Sequence, residues 1–509
     1  MNLKTSEFLF LDAQTIGMRP PRGRLLELAW CKARAGDDEL KVDSHLIALP
    51  EGLTLPRMVT DLTGITDADM KNALPLEDVH KAFAAEALSL PGPPIALIHY
   101  AQFEKPFLAD MYGGAELPFE ILCTQALVKR LFPGLPSHNI RGAGGFFGNP
   151  VEGIKRAGHH VIATHQIWRG IVEALEKEGV ADLEALRAWI GERPKAPRAN
   201  YAYRMDRMKR LRLPDEPGIY RMLAKTGQVL YVGKATSLKS RVNSYFRGQK
   251  SRDKRKLEML AQVWDLEVVN CGTPLEAALL ETDEIKRLNP PYNVVMKLGR
   301  RHLVFYDRAM NSASVTQSRD YPIGPFKNSN WIEHLRALDR SLSRGEFEPV
   351  FWVPIPDDQM RRAFAMFVQK FALENVTWNV RHMLAFGMKL VRDGYAEEEK
   401  DEDVEREINE QGERVYTDQE VAVKFEKLLF SAASEYWRRR KMTRMLNARV
   451  YLTHKDQTRA LDFHKGKMGS GEDGDVGEWP WENLDVETFD RMSVLISELQ
   501  KYAHKIEPR

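Results

Sequence analysis

Two short runs of strand-forming residues carry tyrosines eleven positions apart, Gly218-Ile219-Tyr220 and Tyr231-Val232-Gly233. Lys234 follows the second run directly. Arg241 stands on the helix expected beyond it, with Tyr245 four residues later and so on the same helical face. Glu281 falls inside a later helix among Leu279, Leu280 and Ile285, and Asn293 follows Tyr292 after a double proline. These residue types suit work at a phosphate. Cations offset charge that develops on phosphoryl oxygens. A carboxylate can hold one hard divalent ion that polarises the phosphate and its leaving group. A phenol, with a pKa near 10, acts as a base only where a neighbouring cation or metal lowers that value. Each residue alone has a plainer explanation, since a strand tyrosine usually packs and a helical glutamate is usually solvated. Their joint order carries the signal.

Punctuation in the sequence indicates how these groups are positioned. Gly218–Leu223 and Val229–Gly233 read as strands joined at Lys225-Thr226-Gly227. Helices are expected from Ser237 and over Lys254–Val263, with a third strand at Leu266–Cys271. Thr273-Pro274-Leu275-Glu276 is a capping box with proline at the first helical position, opening a helix to Leu288. The charge is concentrated here too. The chain of 509 residues has a net charge of only +2, yet residues 191–300 carry +11 and the remainder −9. Such a segment is the footprint of polyanion binding. Arg204, Arg207, Lys209, Arg210, Arg247, Lys254, Arg255 and Lys256 are the expected contacts to a nucleic-acid backbone, with Tyr201 and Tyr203 interleaved for an exposed base.

The stretches LYVGKATSLKSRVNSYFR and LLETDEIKRLNPPYNVV resemble, in order and spacing, the GIY-YIG nuclease domain of UvrC-type excinucleases. The resemblance covers about 85 residues. It implies a divalent-metal-dependent DNA endonuclease, with Mg2+ or Mn2+ held by Glu281. Arg241 and Lys234 would face the phosphate, Tyr231 would act as base, and Tyr220, Tyr245 and Asn293 would complete the site. The chain is also similar to the shorter UvrC homologues of the Cho type, which carry only this nuclease half. Tyr321–Phe326 (YPIGPF) looks like sequence that follows it there. That kinship implies nucleotide-excision-type repair and UvrA/UvrB-type damage-recognition partners, although no UVR-type coiled-coil motif is evident.

The N-terminal stretches FLFLDAQTIG, LTGITDADM, HYAQFEKPFL and LPSHNIRGAGGFFG resemble the DEDDh 3′–5′ exonucleases, the group of the DNA polymerase III proofreading subunit. By that resemblance four carboxylates should hold two metal ions beside a histidine base. Asp12 keeps the first position, Gln14 replaces the second acid and Glu104 stands for the third. Lys155 occupies the histidine position and His160 that of the last acid. A lysine beside histidines repels divalent metal, so this domain is expected to be inactive.

The expected architecture is an α/β multidomain chain. An RNase H-like exonuclease fold (1–190) leads through a basic linker (191–213) into a small α/β GIY-YIG domain (214–300). A mainly α C-terminal region (301–509) follows. Glu397–Glu413 is an acidic run, Gly466–Gly477 a Gly- and Asp-rich loop, and Arg438–Lys441 a second candidate DNA contact. Cys31, Cys123 and Cys271 are widely separated, which argues against a disulfide framework or structural zinc. The absence of long apolar runs argues against a membrane span, and a cytoplasmic setting is expected. Two readings of other classes stand beside the endonuclease: a non-cutting DNA-binding scaffold, and a residual 3′–5′ exonuclease using Asp12 and Glu104.

Overall fold

The computed structural model describes residues 1–509 except 88, 90–93, 150–153, 194–200, 248–252, 294–301, 328–329, 349, 352–354, 395–415, 455–456, 470–479, 482–483 and 509. The chain divides into two bodies, residues 1–277 with 287–295 and residues 278–286 with 296–509.

In the first body, β1 (Phe8–Ile16), β2 (Arg24–Ala33), β3 (Asp43–Leu46), β4 (Ile95–Ile98) and β5 (Glu120–Cys123) form one sheet in the order β3-β2-β1-β4-β5. The β1–β2 and β2–β3 pairs are antiparallel, whereas β1–β4 and β4–β5 are parallel. Phe8 and Phe10 face one core with Trp168, and Leu9 and Leu11 face the other with Phe83 and Phe107. Burial on both faces explains why β1 starts as an unbroken apolar run rather than alternating. The helices α1 (Arg57–Thr63), α2 (Asp67–Met70), α3 (Leu76–Ala87), α4 (Ala101–Met111), α5 (Thr124–Leu131), α6 (Ile140–Phe147), α7 (Ala157–Lys177) and α8 (Leu183–Gly191) complete this part. Although Ile121–Leu131 is apolar enough to read as one helix, α5 begins only at Thr124, because Ile121–Cys123 pair with β4.

The same body continues with α9 (Arg207–Leu211), β6 (Gly218–Leu223), β7 (Val229–Ala235), α10 (Leu238–Phe246), α11 (Lys254–Gln262), β8 (Asp265–Asn270) and the start of α12 (Pro274–Leu288). The strands form an antiparallel sheet in the order β7-β6-β8. Within the stretch read as a basic linker, Arg207–Leu211 forms a short helix, starting where the Asp206 side chain accepts from the Met208 amide.

The stretch read as a linker is tied down where it is described. Ala202 N–H donates to Gly134 O (2.7 Å), and the Arg204 guanidinium lies 3.9 Å over the Phe146 ring and 5.1 Å over Trp264. The reason is that α6 and α11 pack together. Trp264 Nε1 donates to Gly145 O (2.7 Å), and Ala261 of α11 joins the core of the exonuclease-like part. A Cβ at Gly145 would stand 2.2 Å from Gln262 Cγ, so only glycine admits this approach. Gly145→Ala is therefore expected to cost about 1–3 kcal/mol through overpacking, read as a lower guanidinium midpoint by tryptophan fluorescence.

The second body holds the rest of α12, then β9 (Leu303–Tyr306), β10 (Ala313–Ser314) and β11 (Ile323–Lys327) in a small sheet. The helices α13 (Asn330–Arg344), α14 (Asp357–Lys370), α15 (Val380–Arg392) and the long α16 (Asp418–Met445) pack around Phe367, Phe425 and Leu429. After them come β12 (Ala448–His454), β13 (Gln457–His464), β14 (Lys467–Met468), α17 (Val486–Leu499) and β15 (Ala503–Pro508). The region is mainly helical, as expected. It also contains a four-stranded sheet in the order β14-β13-β12-β15, which periodicity alone did not reveal. The acidic run 397–413 and residues 470–477 lie outside the described residues. Among the described residues no helix is long and apolar enough to cross a membrane.

Candidate active site

The three tyrosines of the middle domain converge. Tyr220 on β6 faces Gly233 on β7, and α10 brings Tyr245 against both strands. Their ring centroids lie 6.0–6.2 Å apart. Tyr220 OH donates to Tyr245 OH (3.0 Å), which donates to Tyr231 OH (3.5 Å). Gly233 permits the cluster: a Cβ there would sit 2.3 Å from Tyr220 OH. Gly218 is equally constrained, since its Cβ would meet Val269 O at 2.3 Å. Both motif glycines are thus packing requirements at close backbone approaches.

Electrostatics divides the tyrosines. Tyr220 is fully buried, and its phenol is pushed well above the ordinary range by burial, with Tyr245 and Tyr231 adding to the effect. It stays protonated and serves as a donor. Burial would lower the Arg241 pKa, but the tyrosine hydroxyls outweigh it and raise the value, so this cation is secure beside the cluster. Its guanidinium lies 5.5 Å from the Tyr245 ring centroid. Tyr231 and Lys234 are half-buried on β7.

Asn293 differs from its expected place among the reacting groups. It is buried, with its amide directed at the backbone: Oδ1 accepts from Val232 N–H (3.0 Å) and Nδ2 donates to Val232 O (2.9 Å). It completes the hydrogen bonding of edge strand β7 and so fixes Tyr231 from behind. Glu281 is half-buried on α12, which opens with the expected capping box: Thr273 N–H donates to Glu276 (3.0 Å) and Glu276 N–H to Thr273 (3.1 Å).

Of the eight expected backbone-binding cations, four are engaged within the protein. Arg204 joins α6 to Trp264, and Lys209 pairs with Asp265. Arg210 donates to Asn243 (2.6 Å), and Arg255 donates to Pro291 O (2.9 Å). Arg207, Arg247, Lys254 and Lys256 are exposed. The second candidate contact is also largely consumed. Arg438 donates to Ser493 O (2.8 Å), and Arg439 stacks 4.2 Å over Phe489.

In the N-terminal domain, Asp12, Gln14 and His160 meet. His160 Nδ1 lies 3.1 Å from Asp12 Oδ1, and Gln14 Nε2 donates to Asp12 Oδ2 (3.2 Å). Burial lowers the His160 pKa, but Asp12 overrides this and raises it, which favours an imidazolium against Asp12, while burial pushes the Asp12 carboxyl upward in turn. Glu104 is buried with Oε2 unpartnered. Burial first, then the charge of Asp12, pushes its carboxyl well upward, which favours a neutral acid. These residues do not fit a two-metal centre. Lys155 is exposed beside Gly64, so the expected pair of adjacent cations resolves into a histidine held against Asp12 and one surface lysine. Glu27 was not singled out from the sequence. It is a buried acid that accepts from Arg156 Nε (2.9 and 3.0 Å), Arg156 Nη2 (2.7 Å) and Ala157 N–H (2.9 Å). Its signal was a lone acid inside the apolar run of β2.

A family model described as the UvrC-like GIY-YIG domain matches residues 216–294. The chain thus joins a UvrC-like GIY-YIG endonuclease domain behind an exonuclease-like domain. A putative bifunctional exonuclease/endonuclease protein of Mycobacterium tuberculosis is 28% identical over 353 residues, 66% of this chain and 53% of that protein. UvrABC system protein C of Psychrobacter arcticus is 40% identical over 147 residues, 27% of this chain and 24% of that protein. The GIY-YIG N-terminal endonuclease domain of Thermotoga maritima UvrC, solved with its catalytic magnesium, is 34% identical, with a TM-score of 0.16. That match covers 17% of this chain and 94% of the solved one. The chain therefore spans about half the length of the mycobacterial relative and about a quarter of the Psychrobacter one.

Two outcomes follow from this geometry. Gly233→Ala drives a methyl into Tyr220. It is expected to displace the hydroxyl cluster and lower DNA nicking roughly 100-fold, the scale of a misplacement near 1 Å, while circular dichroism retains the fold. His99 is buried, with Nδ1 3.0 Å from Thr124 Oγ1 and Nε2 3.1 Å from His138 O. Burial depresses its pKa to about 4, so the unfolded chain binds the proton first. Stability is full above pH 6.5 and falls by about 3 kcal/mol as pH drops toward 4. Denaturant midpoints from pH 4 to 7 should show that slope, flattened in His99→Gln.

Proposed function

We propose that this chain is a divalent-metal-dependent DNA endonuclease that hydrolyses phosphodiester bonds through its middle domain, acting in nucleotide-excision-type repair. The observation that carries this reading is the convergence of three tyrosine hydroxyls with Arg241 inside the matched domain. The hydrogen bonds run from Tyr220 through Tyr245 to Tyr231. The Tyr231 oxygen is the end of that relay, and a phenolate there receives a donated hydrogen bond and the field of Arg241. Those are the conditions that stabilise a phenolate, the form of tyrosine that can accept a proton from water. Tyr231 is the base, Tyr220 and Tyr245 are its supporting donors, and Arg241 with Lys234 offsets charge on the phosphate. Asn293 holds the strand that carries Tyr231.

Glu281 is the proposed metal ligand. Among the described residues no group of three or more His, Cys, Asp or Glu side chains is arranged to hold an ion. A single half-buried carboxylate fits Mg2+ or Mn2+, which keep most of their water and take one or two carboxylates. When bound, such an ion would polarise the phosphate and stabilise the leaving oxygen. Arg207, Arg247, Lys254 and Lys256 supply sequence-independent grip, so binding weakens with salt. The exonuclease-like domain is a scaffold that does not cut, because His160 and Gln14 saturate Asp12. UvrA/UvrB-type proteins are the proposed damage-recognition partners.

Supercoiled plasmid and a bubble-containing duplex with Mg2+ or Mn2+ provide the test. Nicking is expected to be abolished in Glu281→Ala and retained in Asp12→Ala. Loss in Asp12→Ala alone would move the chemistry to the first domain. Salt-dependent binding without cutting by any variant, even with damage-recognition proteins added, would leave a scaffold.

A further inference from the structure

The helix that carries Glu281 is gripped from its other side by the last helix of the chain. Side chains advance about 100° per residue along an α-helix, so Asp283 and Lys286 share a face of α12 roughly opposite Glu281. Asp283 Oδ1 accepts from Arg491 Nε (3.0 Å) and Nη2 (2.6 Å). Lys286 Nζ lies 3.2 Å from Asp490 Oδ2 and donates to Glu487 O (3.1 Å). The Lys286 and Asp490 side chains are only 5% and 10% exposed. Residues 278–286 belong to the same body as α17. That helix is itself held by α16, through Arg438 to Ser493 O and Arg439 over Phe489.

A buried ion pair contributes little net stability, because desolvation offsets its attraction, but only one geometry satisfies it. Its best use is to fix register. The buried Lys286–Asp490 pair and, a turn earlier, the half-exposed Asp283 gripped by Arg491 through two hydrogen bonds set both the rotation and the height of the turn bearing Glu281. We infer that α17 is a positioning element for the nuclease reaction, and that Arg491 and the Lys286–Asp490 pair are positioning residues for the metal-binding turn of α12. This gives the C-terminal body a role in cutting, and it rests on the reading of Glu281 as metal ligand.

The test uses the full chain and Mn2+ as probe. Isothermal titration gives the Mn2+ dissociation constant, and plasmid nicking across a Mn2+ series gives kcat, KM for DNA and the half-saturating metal concentration. Arg491→Ala is expected to weaken Mn2+ binding and raise half-saturation about tenfold, the scale seen when groups orienting a metal ligand are removed, with KM for plasmid unchanged. Arg491→Lys, and the exchange of Asp283→Arg with Arg491→Asp, should recover most of the loss, which a merely structural defect would not allow. The pair Lys286→Met with Asp490→Leu removes both buried charges together, avoids stranding one, and should shift Mn2+ half-saturation in the same direction. If Glu281→Ala binds Mn2+ and nicks like the wild type, the metal reading fails and this inference fails with it. If Glu281→Ala is inactive while Arg491→Ala and the Lys286/Asp490 pair keep wild-type Mn2+ behaviour, the inference alone is overturned.

Discussion

The middle domain is organised by one close approach, the Tyr220 hydroxyl lying over the backbone of Gly233. Any side chain at that position would collide with the phenol. Its absence lets two strands bring their tyrosines within hydrogen-bond reach of the one supplied by α10. Burial sets Tyr220 apart: its enclosed phenol is pushed upward and keeps its proton, whereas Tyr231 is only half-buried. The rest of the local architecture maintains this arrangement. Asn293 seals the free edge of β7 against Val232, and the Ser237 cap starts the helix that carries Arg241 and Tyr245.

The first domain shows the opposite use of burial. Its acids are enclosed but already satisfied, Asp12 by His160 and Gln14, and Glu27 by Arg156. Enclosed carboxylates need protons or nearby cations to offset their lost hydration. Here Asp12 takes a histidine, while the environment of Glu104 favours its protonated form. The fold itself does not depend on these groups, because its cores lie on the two faces of the sheet, formed by Phe8, Phe10 and Trp168 on one side and Leu9, Leu11 and Phe107 on the other.

Much of this was legible in the sequence where the information is local. The strands of the middle domain, the Thr273 capping box and the turn at Gly227 follow from neighbouring residues, and their physics acts over a few positions. What stayed hidden acts at long range. Arg204 and Lys209 read as surface cations, yet Arg204 finds Phe146 and Trp264, and Lys209 finds Asp265. Arg438 and Arg439 read as part of a second DNA contact, yet in the structure they hold α17. Asp283 and Arg491 lie 208 positions apart. The sheet built from β12 and β15 joins residues on either side of α17. No periodicity marks such pairings, because the same residue types serve equally well facing water.

The glycines of α6 carry a consequence for how such a chain can change over time. Replacing Gln14 changes what Asp12 hydrogen-bonds and leaves the α6 surface as it was. Gly145 has no such freedom, because Gln262 and Trp264 are settled against its backbone. The exonuclease-like part is then best understood as the nuclease domain's missing wall. Excising it would uncover the apolar side of α11 and invite aggregation, even though no catalytic group would be lost.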